Sequence, residues 1–285
     1  MNVLVIGANG QLGSDFQKLL LEKGIPFTSC EREQLDITNK DQIDGAILGS
    51  NFTHIVNCAA YNNVDLAEKN DDLCRAVNTI GPSLLAAAAN RVGAVFISYS
   101  TDFVFSGDPQ NPYNETMETN PISKYGLSKR DGEILIFKEC QRAFVIRTSW
   151  VFGSANSNFN TQIINWSRSN STLKIVDDQT SSPTYSKDLA KYSLLLIESE
   201  EYGMYHLSNS GTATKYDQAS YILKNLGWTG SLERAKTSEF NLAAKRPVFS
   251  KLDCSKAEKV IGLKMPHWQD AIDRYLTELK NTGDL

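Results

Sequence analysis

Short apolar runs and longer stretches of helical periodicity alternate through the first half of the chain. The apolar runs are typical of buried strands, and each gap between them is long enough for a helix. The predicted strands are Val3–Ile6, Pro26–Cys30, Ile55–Val56, Ala94–Ser98 and Phe144–Arg147. The predicted helices between them are Gln11–Lys23, Lys40–Leu48, Asp71–Val92 and Ser123–Cys140. This order predicts an α/β fold in which helices cover both faces of a parallel sheet.

Beyond about residue 150 the alternation becomes less regular. Helical stretches at Lys187–Ser199, Asp217–Leu226 and Gln269–Lys280 are separated by segments rich in Ser, Asn and Gly. We therefore predict two domains, residues 1–150 with the regular sheet and residues 151–285 as a smaller mixed domain. Some segments of the second domain are expected to return to the first.

Composition and charge narrow the class of protein. The 285 residues are 41% hydrophobic and 22% charged, with a net charge of −4, which is ordinary for a globular protein. The weak acidity argues against binding nucleic acid or an anionic membrane, because both require basic patches. The chain shows neither a signal-peptide pattern nor an apolar window of the ~20 residues that span a bilayer. Five cysteines without a C-x-x-C pair are typical of reduced thiols, so we expect a cytoplasmic protein.

A glycine-rich loop follows the first strand and opens the first helix. Its sequence, Gly7-Ala8-Asn9-Gly10-Gln11-Leu12-Gly13, has Gly-x-x-Gly-x-x-Gly spacing. Glycine permits close approach of a phosphate, and a helix N-terminus offers free N–H groups to the anion. The position between strand and helix is typical of dinucleotide binding, so we predict a Rossmann-type doubly wound sheet with a cofactor site here. The loop residues assigned to that site are Gly7, Asn9, Gly10, Gln11, Leu12 and Gly13.

The end of the second strand bears on the choice between NADH and NADPH. Glu31 lies 21 residues after Gly10, where an acidic side chain holds the ribose hydroxyls of NADH. Its neighbour Arg32 is suited to pairing with the 2′-phosphate of NADPH. The sequence therefore leaves the two cofactors open.

Tyr125 and Lys129 stand one helical turn apart and share a helix face. Ser100, Thr101 and Asp102 end the fourth strand, at the edge where α/β sheets bind ligands. A lysine ammonium group close to a phenol lowers the phenol pKa from its usual value of roughly 10. Thr101, Tyr125 and Lys129 are therefore predicted to bind a carbonyl oxygen and protonate it.

Together these motifs resemble the extended short-chain dehydrogenase/reductases and, more narrowly, the dTDP-4-dehydrorhamnose reductase family. The broader resemblance depends on the glycine loop, Thr101 and the Tyr125-x-x-x-Lys129 pair. The narrower resemblance depends on segments that run from Gly7 to Trp268 in the family's order. Those segments include Val64-Asp65-x-Ala67-Glu68, Ser100–Phe105, Arg147–Trp150, Asp178-Gln179, Pro183-Thr184, Tyr205–Ser208, Arg246-Pro247 and Trp268.

The resemblance implies reduction of the 4-keto group of dTDP-4-dehydro-L-rhamnose to dTDP-L-rhamnose by NADPH or NADH. In the family's terms, Tyr125 donates the proton, Lys129 orients the cofactor ribose and tunes Tyr125, and Thr101 holds the carbonyl. Beyond the loop, the implied cofactor residues are Glu31, Arg32, Asp36, Ile37, Cys58, Ala59, Ala60, Asn78, Tyr125 and Lys129. The implied substrate residues are Tyr61, Asn62, Val64, Thr101, Asp102, Phe103, Trp150 and, for the diphosphate, Arg246.

Three positions depart from the family pattern and keep other hypotheses open. Asn62, Phe103 and Ser181 stand where the family usually has Thr, Tyr and Gly. Asn62 and Phe103 lie in segments implied to contact the sugar, so a second hypothesis is reduction of another nucleotide-linked 4-keto-hexose for a surface polysaccharide. A third hypothesis is a non-catalytic regulatory subunit of the methionine adenosyltransferase type, against which the retained catalytic residues argue.

The sequence leaves the metal content and the oligomeric state open. Some members of the family bind magnesium at a dimer interface through carboxylates. Asp15 is a candidate for one such carboxylate, but the sequence shows no matching set, so magnesium is left unassigned. A homodimer is one expectation, and the remaining partner is the small-molecule nucleotide sugar.

Overall fold

The computed structural model of the chain describes residues 1–108 and 111–285, with twelve strands among them. They are β1 (Val3–Ile6), β2 (Phe27–Cys30), β3 (His54–Asn57), β4 (Val95–Thr101), β5 (Ala143–Thr148), β6 (Val151–Phe152), β7 (Thr172–Val176), β8 (Thr180–Ser181), β9 (Thr184–Tyr185), β10 (Gly203–His206), β11 (Ala213–Thr214) and β12 (Ser231–Ala235). Six of them form one parallel sheet in the order β10-β5-β4-β3-β1-β2.

Eleven α-helices are present in the same residues. They are α1 (Gln11–Glu22), α2 (Lys40–Ile47), α3 (Val64–Ala67), α4 (Asp71–Arg75), α5 (Gly81–Val92), α6 (Lys124–Glu139), α7 (Phe159–Ser169), α8 (Ser186–Glu198), α9 (Lys215–Asn225), α10 (Ser255–Ile261) and α11 (Trp268–Thr282). A π-helical stretch, Ala76–Ile80, joins α4 to α5, so the helix predicted over residues 71–92 is continuous but has one widened turn. Such widened turns are frequent at functional sites.

The large sheet is buried on both faces, which confirms the predicted doubly wound α/β fold. Val5 packs with Phe16 of α1 and with α8 on one face. Leu4 packs on the other face with Ile43 of α2 and Leu85 of α5. Neighbouring residues of a strand point to opposite faces, so a strand covered on both sides is apolar throughout. This is why the first strand appears in the sequence as an uninterrupted apolar run.

The order of the strands places a ligand crevice beside β1. Strand β2 pairs with one edge of β1, and β3 pairs with the other. The connections that leave β1 and β2 therefore run to opposite sides of the sheet. At such a switch point a crevice opens at the carboxyl ends of the strands, and ligands of α/β proteins bind there.

The second half of the chain forms a smaller unit and also adds to the first. Helices α7, α9 and α11 enclose an aromatic cluster that includes Phe152, Tyr185, Trp268 and Tyr275. Strand β10, however, pairs with β5 as the sixth strand of the large sheet, and α8 covers one face of that sheet. Helix α7 was not predicted, because its sequence from Asn158 onward is rich in Asn and Ser and has only a narrow apolar face.

All five cysteines are free thiols, as expected. Within residues 1–108 and 111–285, no helix has both the length and the apolarity that crossing a membrane requires. The cytoplasmic location stays a prediction.

Candidate active site

The glycines of the first loop serve two different purposes. Gly7 has a φ of +75°, and a Cβ atom added there would lie 2.6 Å from the backbone nitrogen of Ala59. A Cβ atom on Gly13 would lie 2.3 Å from the carbonyl oxygen of Gly7. A Cβ atom on Gly10 would meet that oxygen only at 3.2 Å. Gly7 and Gly13 are therefore required by the packing of the chain itself, and Gly10 is the glycine that leaves room in the crevice.

The start of α1 is suited to an anion. Gly10 is its N-cap, and within the described chain no side chain caps the helix and no acidic residue lies in its first turn. The first N–H groups and the positive end of the helix dipole thus remain available. These features fit the pyrophosphate of a dinucleotide.

Two adjoining cavities follow the carboxyl ends of the strands. The larger, which we call the catalytic cavity, has a volume of about 500 Å³ and is lined by Thr101, Tyr125 and Lys129. The smaller, which we call the loop cavity, has a volume of about 290 Å³ and is lined by residues of the glycine loop and the end of β2. The residues common to both linings are Gly10, Cys58, Ala60 and Asn62. The cleft is therefore continuous from the loop to the predicted catalytic residues.

A close helix contact brings the predicted catalytic residues together. Thr101 ends β4, whereas Tyr125 and Lys129 lie on α6. A Cβ atom on Gly126 would lie 2.1 Å from the carbonyl oxygen of Phe103, so glycine is needed for α6 to lie so close to the turn after Thr101. The Phe103 ring then meets the Tyr125 ring edge to face, with centroids 5.9 Å apart. Lys129 is only 6% exposed and lies one turn further along α6.

Burial dominates the proton equilibria of these residues. It raises the pKa of Tyr125 above its ordinary value, with a smaller lowering from the Thr101 hydroxyl and a smaller raising from Asp102. Burial lowers the pKa of Lys129 to about 8, and the nearby Glu133 carboxylate opposes that shift. Burial is the largest influence on Tyr125 in this structure, and the lowering of its pKa by Lys129 stays a prediction.

Asp102 does not face the sugar as the resemblance implied. It is 1% exposed, and within the described chain it is not among the residues that line either cavity. Its carboxylate accepts hydrogen bonds from the hydroxyls of Thr101 (3.1 Å), Ser181 (3.1 Å) and Ser250 (2.5 Å). Burial raises the pKa of Asp102 to about 6. Asp102 therefore orients Thr101, and Ser181 is one of its anchors.

Asn78 holds a neighbouring segment in place. Its Oδ1 atom accepts a hydrogen bond from the Tyr61 N–H (2.8 Å), and its Nδ2 donates to the Tyr61 carbonyl (3.0 Å) and to Ser128 (3.1 Å). Asn78 lies in the π-helical stretch, whose widened turn directs it toward the segment after β3. Asn78 therefore contacts the wall of the cleft at Tyr61, and it supports the predicted cofactor site only through that wall.

Arg246 is engaged by a carboxylate. Its guanidinium donates to both oxygens of Asp65, at 2.5 and 3.2 Å, and this ion pair holds the pKa of Asp65 below its usual range. The paired N–H groups of Arg246, which could bind a diphosphate, thus bind Asp65 on α3 instead. This ion pair connects α3 to the segment that precedes Phe249. A diphosphate contact from Arg246 would require this pair to rearrange.

The cleft gathers most of the predicted site residues but not all of them. Those that line the two cavities are Gly7, Asn9, Gly10, Gln11, Leu12, Arg32, Asp36, Ile37, Cys58, Ala59, Ala60, Tyr61, Asn62, Thr101, Tyr125, Lys129 and Trp150. Within the described residues, those outside the two linings are Gly13, Glu31, Val64, Asn78, Asp102, Phe103 and Arg246. Of the two residues that bear on cofactor choice, Arg32 therefore lines the loop cavity and Glu31 does not.

Two parts of the lining were not predicted. Thr148, at the carboxyl end of β5, lines the catalytic cavity, and its hydroxyl is buried without a partner in the described chain. The Ser100 hydroxyl is in the same situation at the end of β4. The rule that ligands bind at strand ends would have identified Thr148. The loop Asn156–Phe159 also contributes to the lining, and its sequence carries no signal beyond a cluster of Asn and Ser.

The residues around Asp15 do not fit a magnesium site. Asp15 is buried and accepts hydrogen bonds from Ser186 (2.5 Å) and from the Lys18 ammonium group (3.3 Å). The nearby Glu278 carboxylate pairs with Lys187 at 2.8 Å. Lysine side chains thus supply the positive charge here, and residues 1–108 and 111–285 contain no group of three metal-binding side chains. The expected homodimer stays a prediction.

Comparison with known proteins identifies the family of the chain. A family model described as RmlD substrate binding domain matches residues 1–281. The chain is 34% identical to the spore coat polysaccharide biosynthesis protein SpsK of Bacillus subtilis (strain 168), over 99% of both chains. It is 32% identical to the dTDP-4-dehydrorhamnose reductase of Escherichia coli (strain K12), again over 99% of both. A crystal structure of the Bacillus anthracis dTDP-4-dehydrorhamnose reductase in complex with NADP superposes with a TM-score of 0.94 at 34% identity, covering 98% of this chain and 100% of that one.

Proposed function

The chain belongs to the RmlD substrate binding domain family, and from this we propose that it reduces the 4-keto group of dTDP-4-dehydro-L-rhamnose to give dTDP-L-rhamnose. The predicted resemblance to this family is confirmed, and several relatives that carry the reductase name match over nearly the full length. The observation that carries the proposal is one cavity that holds Thr101, Tyr125 and Lys129 next to Gly10 of the glycine loop.

The residues of the two cavities fit a nicotinamide dinucleotide. The start of α1 and Gly10 would hold the pyrophosphate, and Lys129 would hold the ribose that lies near Tyr125. The buried hydroxyls of Ser100 and Thr148 offer hydrogen bonds that the described residues leave unused. When bound in reduced form, the cofactor supplies the hydride that reduces the carbonyl carbon.

The positions of Glu31 and Arg32, the two residues that bear on the choice of cofactor, favour NADPH. Arg32 lines the loop cavity beside Gly7 and Ile37, where a guanidinium group can pair with a 2′-phosphate. Both side chains are exposed, and Arg32 lies 3.9 Å from Asp36, but Glu31 lies outside the lining formed by the described residues. The related Bacillus anthracis reductase was crystallised with NADP. We infer that this chain prefers NADPH to NADH.

Tyr125 is the acid that completes the reduction. As the carbonyl carbon is reduced, its oxygen becomes an alkoxide, which is a stronger base than a phenolate, so a phenol can protonate it even when burial raises the phenol pKa. The Thr101 hydroxyl has one proton, which it donates to the Asp102 carboxylate here, so it would have to turn away from Asp102 to donate to the substrate oxygen. Lys129, still largely protonated near pH 7, stabilises the phenolate that the transfer leaves behind.

Replacing the proposed acid tests the mechanism. Purified protein with NADPH and dTDP-4-dehydro-L-rhamnose should consume the reduced cofactor, followed by its absorbance. Tyr125→Phe should slow turnover by roughly 10²–10⁴-fold, because it removes the proton donor and keeps the ring. Near-normal turnover of the variant would exclude Tyr125 as the acid.

A matched tyrosine controls for the loss of a hydroxyl group as such. Tyr221 lies on α9 in the smaller unit, where its hydroxyl donates to Asp273 at 2.9 Å. Tyr221→Phe should leave turnover unchanged. Circular dichroism of both variants should match that of the wild type, which would separate a catalytic defect from misfolding.

A second candidate substrate is another nucleotide-linked 4-keto-hexose. Asn62 lines both cavities, and Phe103 packs against Tyr125, so both departures from the family pattern lie near the reacting group. The similarity to a spore coat polysaccharide protein is compatible with either sugar. A panel of nucleotide-linked keto sugars, assayed with NADPH and NADH, should show a preference for dTDP-4-dehydro-L-rhamnose. The assembled catalytic residues argue against the purely regulatory role.

A further inference from the structure

A lysine outside the catalytic group lies against the substrate side of the cleft. Lys215 is the first residue of α9. Its Nζ atom lies 3.6 Å from the ring centroid of Trp150 and 4.5 Å from that of Phe159. Both rings line the catalytic cavity. One ammonium group thus contacts two aromatic walls of the cavity at the same time.

The backbone of Trp150 is in a rare conformation. Its φ of +46° lies in the left-handed region, which residues with bulky side chains seldom adopt. Such a conformation persists only when the surrounding structure holds it. The Trp150 carbonyl accepts a hydrogen bond from the Thr184 N–H at 3.2 Å, which fixes the backbone from one side. The contact with Lys215 fixes the indole ring.

The Lys215 ammonium group contacts these two rings and forms no ion pair among the described residues. Of the ion pairs formed among residues 1–108 and 111–285, none includes Lys215. Asp102 and Arg246 act on it only through space, the first raising and the second lowering its pKa. Burial is the largest influence and lowers the pKa of Lys215 to about 7. Lys215 is only partly buried by accessible surface, and its ammonium charge is attracted to the faces of the two rings.

We propose that Lys215 is a positioning residue for the nucleotide sugar, and that its ammonium group fixes Trp150 and Phe159 as the wall against which the sugar binds. That the ligand is a nucleotide sugar rests on the proposed function. Lys215 acts on the wall and not on the reacting carbonyl. Its loss should therefore weaken binding of the sugar more than it slows the chemical step, and it should not affect the loop cavity.

The first test is a comparison of Michaelis constants. Lys215→Met keeps a long side chain and removes the charge, and it should raise the KM for the nucleotide sugar roughly tenfold. The KM for NADPH should stay unchanged and kcat should change less than the sugar KM. Lys215→Arg retains a cation that stacks on aromatic rings and should restore most of the affinity. Lys224→Met, at an exposed lysine of the same helix, is the matched control and should behave as wild type.

A double-mutant cycle asks whether Lys215 acts through Trp150. In a Trp150→Phe background, Lys215→Met should have a clearly smaller effect on the sugar KM than it has in the wild type, because the indole ring it holds is gone. Fully additive effects would mean that Lys215 acts independently of Trp150, and they would overturn the proposal. So would a wild-type KM in Lys215→Met.

Tryptophan fluorescence tests the contact without any turnover. Lys215→Met should change the emission of the protein, and the same substitution in the Trp150→Phe background should not, although three other tryptophans remain. An emission change that persists without Trp150 would contradict the contact. If the wild type turns over none of the keto sugars, the proposed function is wrong. The fluorescence measurement still decides in that case whether Lys215 holds Trp150.

Discussion

The two sides of the cleft are constructed in different ways. On the cofactor side, Gly7, Gly10 and Gly13 lie within seven consecutive residues, and their spacing alone dictates a turn and a helix start. On the sugar side, Trp150 and Lys215 are 65 residues apart in sequence and meet only because the first residue of α9 lies against the segment that follows β5. A local motif is visible in a sequence, whereas a wall assembled from distant segments is not.

The difference extends to what each side tolerates. The loop glycines are constrained by backbone atoms, which cannot move aside, as the 2.3 Å approach at Gly13 shows. Behind the sugar side, the Thr101 hydroxyl is held by a buried cluster of the Asp102, Ser181 and Ser250 side chains. We therefore expect substitutions in the loop to affect folding and substitutions in the wall to affect affinity or pH response.

The largest effect is expected at Gly13. Gly13→Ala places a methyl group against the Gly7 carbonyl, and the overlap should cost at least about 3 kcal/mol of the free energy of unfolding or prevent folding. Urea denaturation followed by circular dichroism measures the change.

Gly45 provides the comparison for that substitution. It lies within α2, and in the described structure a Cβ atom there meets nothing within 4 Å. Gly45→Ala should be neutral or stabilise the protein by about 0.5–1 kcal/mol, since alanine is the better helix former. Equal effects at Gly13 and Gly45 would show that the loop is not constrained in the way described.

A pH-dependent effect, at most as large as the one at Gly13, is expected at Asp102. Burial raises its pKa to about 6, so the folded protein keeps a proton that the unfolded chain releases near pH 4. The stability contributed by that proton is fully present below about pH 4 and is lost as the pH rises through 6. Over this interval the wild type should lose roughly 3 kcal/mol relative to Asp102→Asn, which does not titrate.

Denaturation curves at several pH values measure this difference. Asp72→Asn, at an exposed aspartate, is the control and should follow the wild type at every pH. Parallel curves for wild type and Asp102→Asn would mean that Asp102 is solvated in the folded protein and that the hydroxyl cluster does not bury it.

The smallest effect is expected at the cofactor-choice residues. Arg32→Ala removes the guanidinium group from the loop cavity and should raise the KM for NADPH roughly tenfold, with no change for NADH. Glu31→Ala is the matched neighbour and should change neither constant. A larger loss for NADH than for NADPH in Arg32→Ala would reverse the inferred preference.

Much of the cleft follows from local sequence rules. The glycine loop, the strand ends at Ala59 and Thr101, and the pair on α6 were predicted and line the cavities. Asp102 and Arg246 were assigned to the substrate, yet the first orients Thr101 and the second pairs with Asp65. A charged side chain in a sequence does not disclose its partner, because a hydroxyl or carboxylate from a distant segment competes with the ligand for it.

By itself, the sequence determined the parallel sheet and the glycine turn, and it predicted the residues that we propose as catalytic, because periodicity, glycine sterics and strand-end position are local properties. The tertiary structure decided which residues face the cleft and which support it from behind. In the folded chain Asp102 is buried, Arg246 forms an ion pair with Asp65, and Lys215 contacts two aromatic rings. The pKa of each group also follows from burial, which depends on how distant segments pack together and not on neighbours in the sequence.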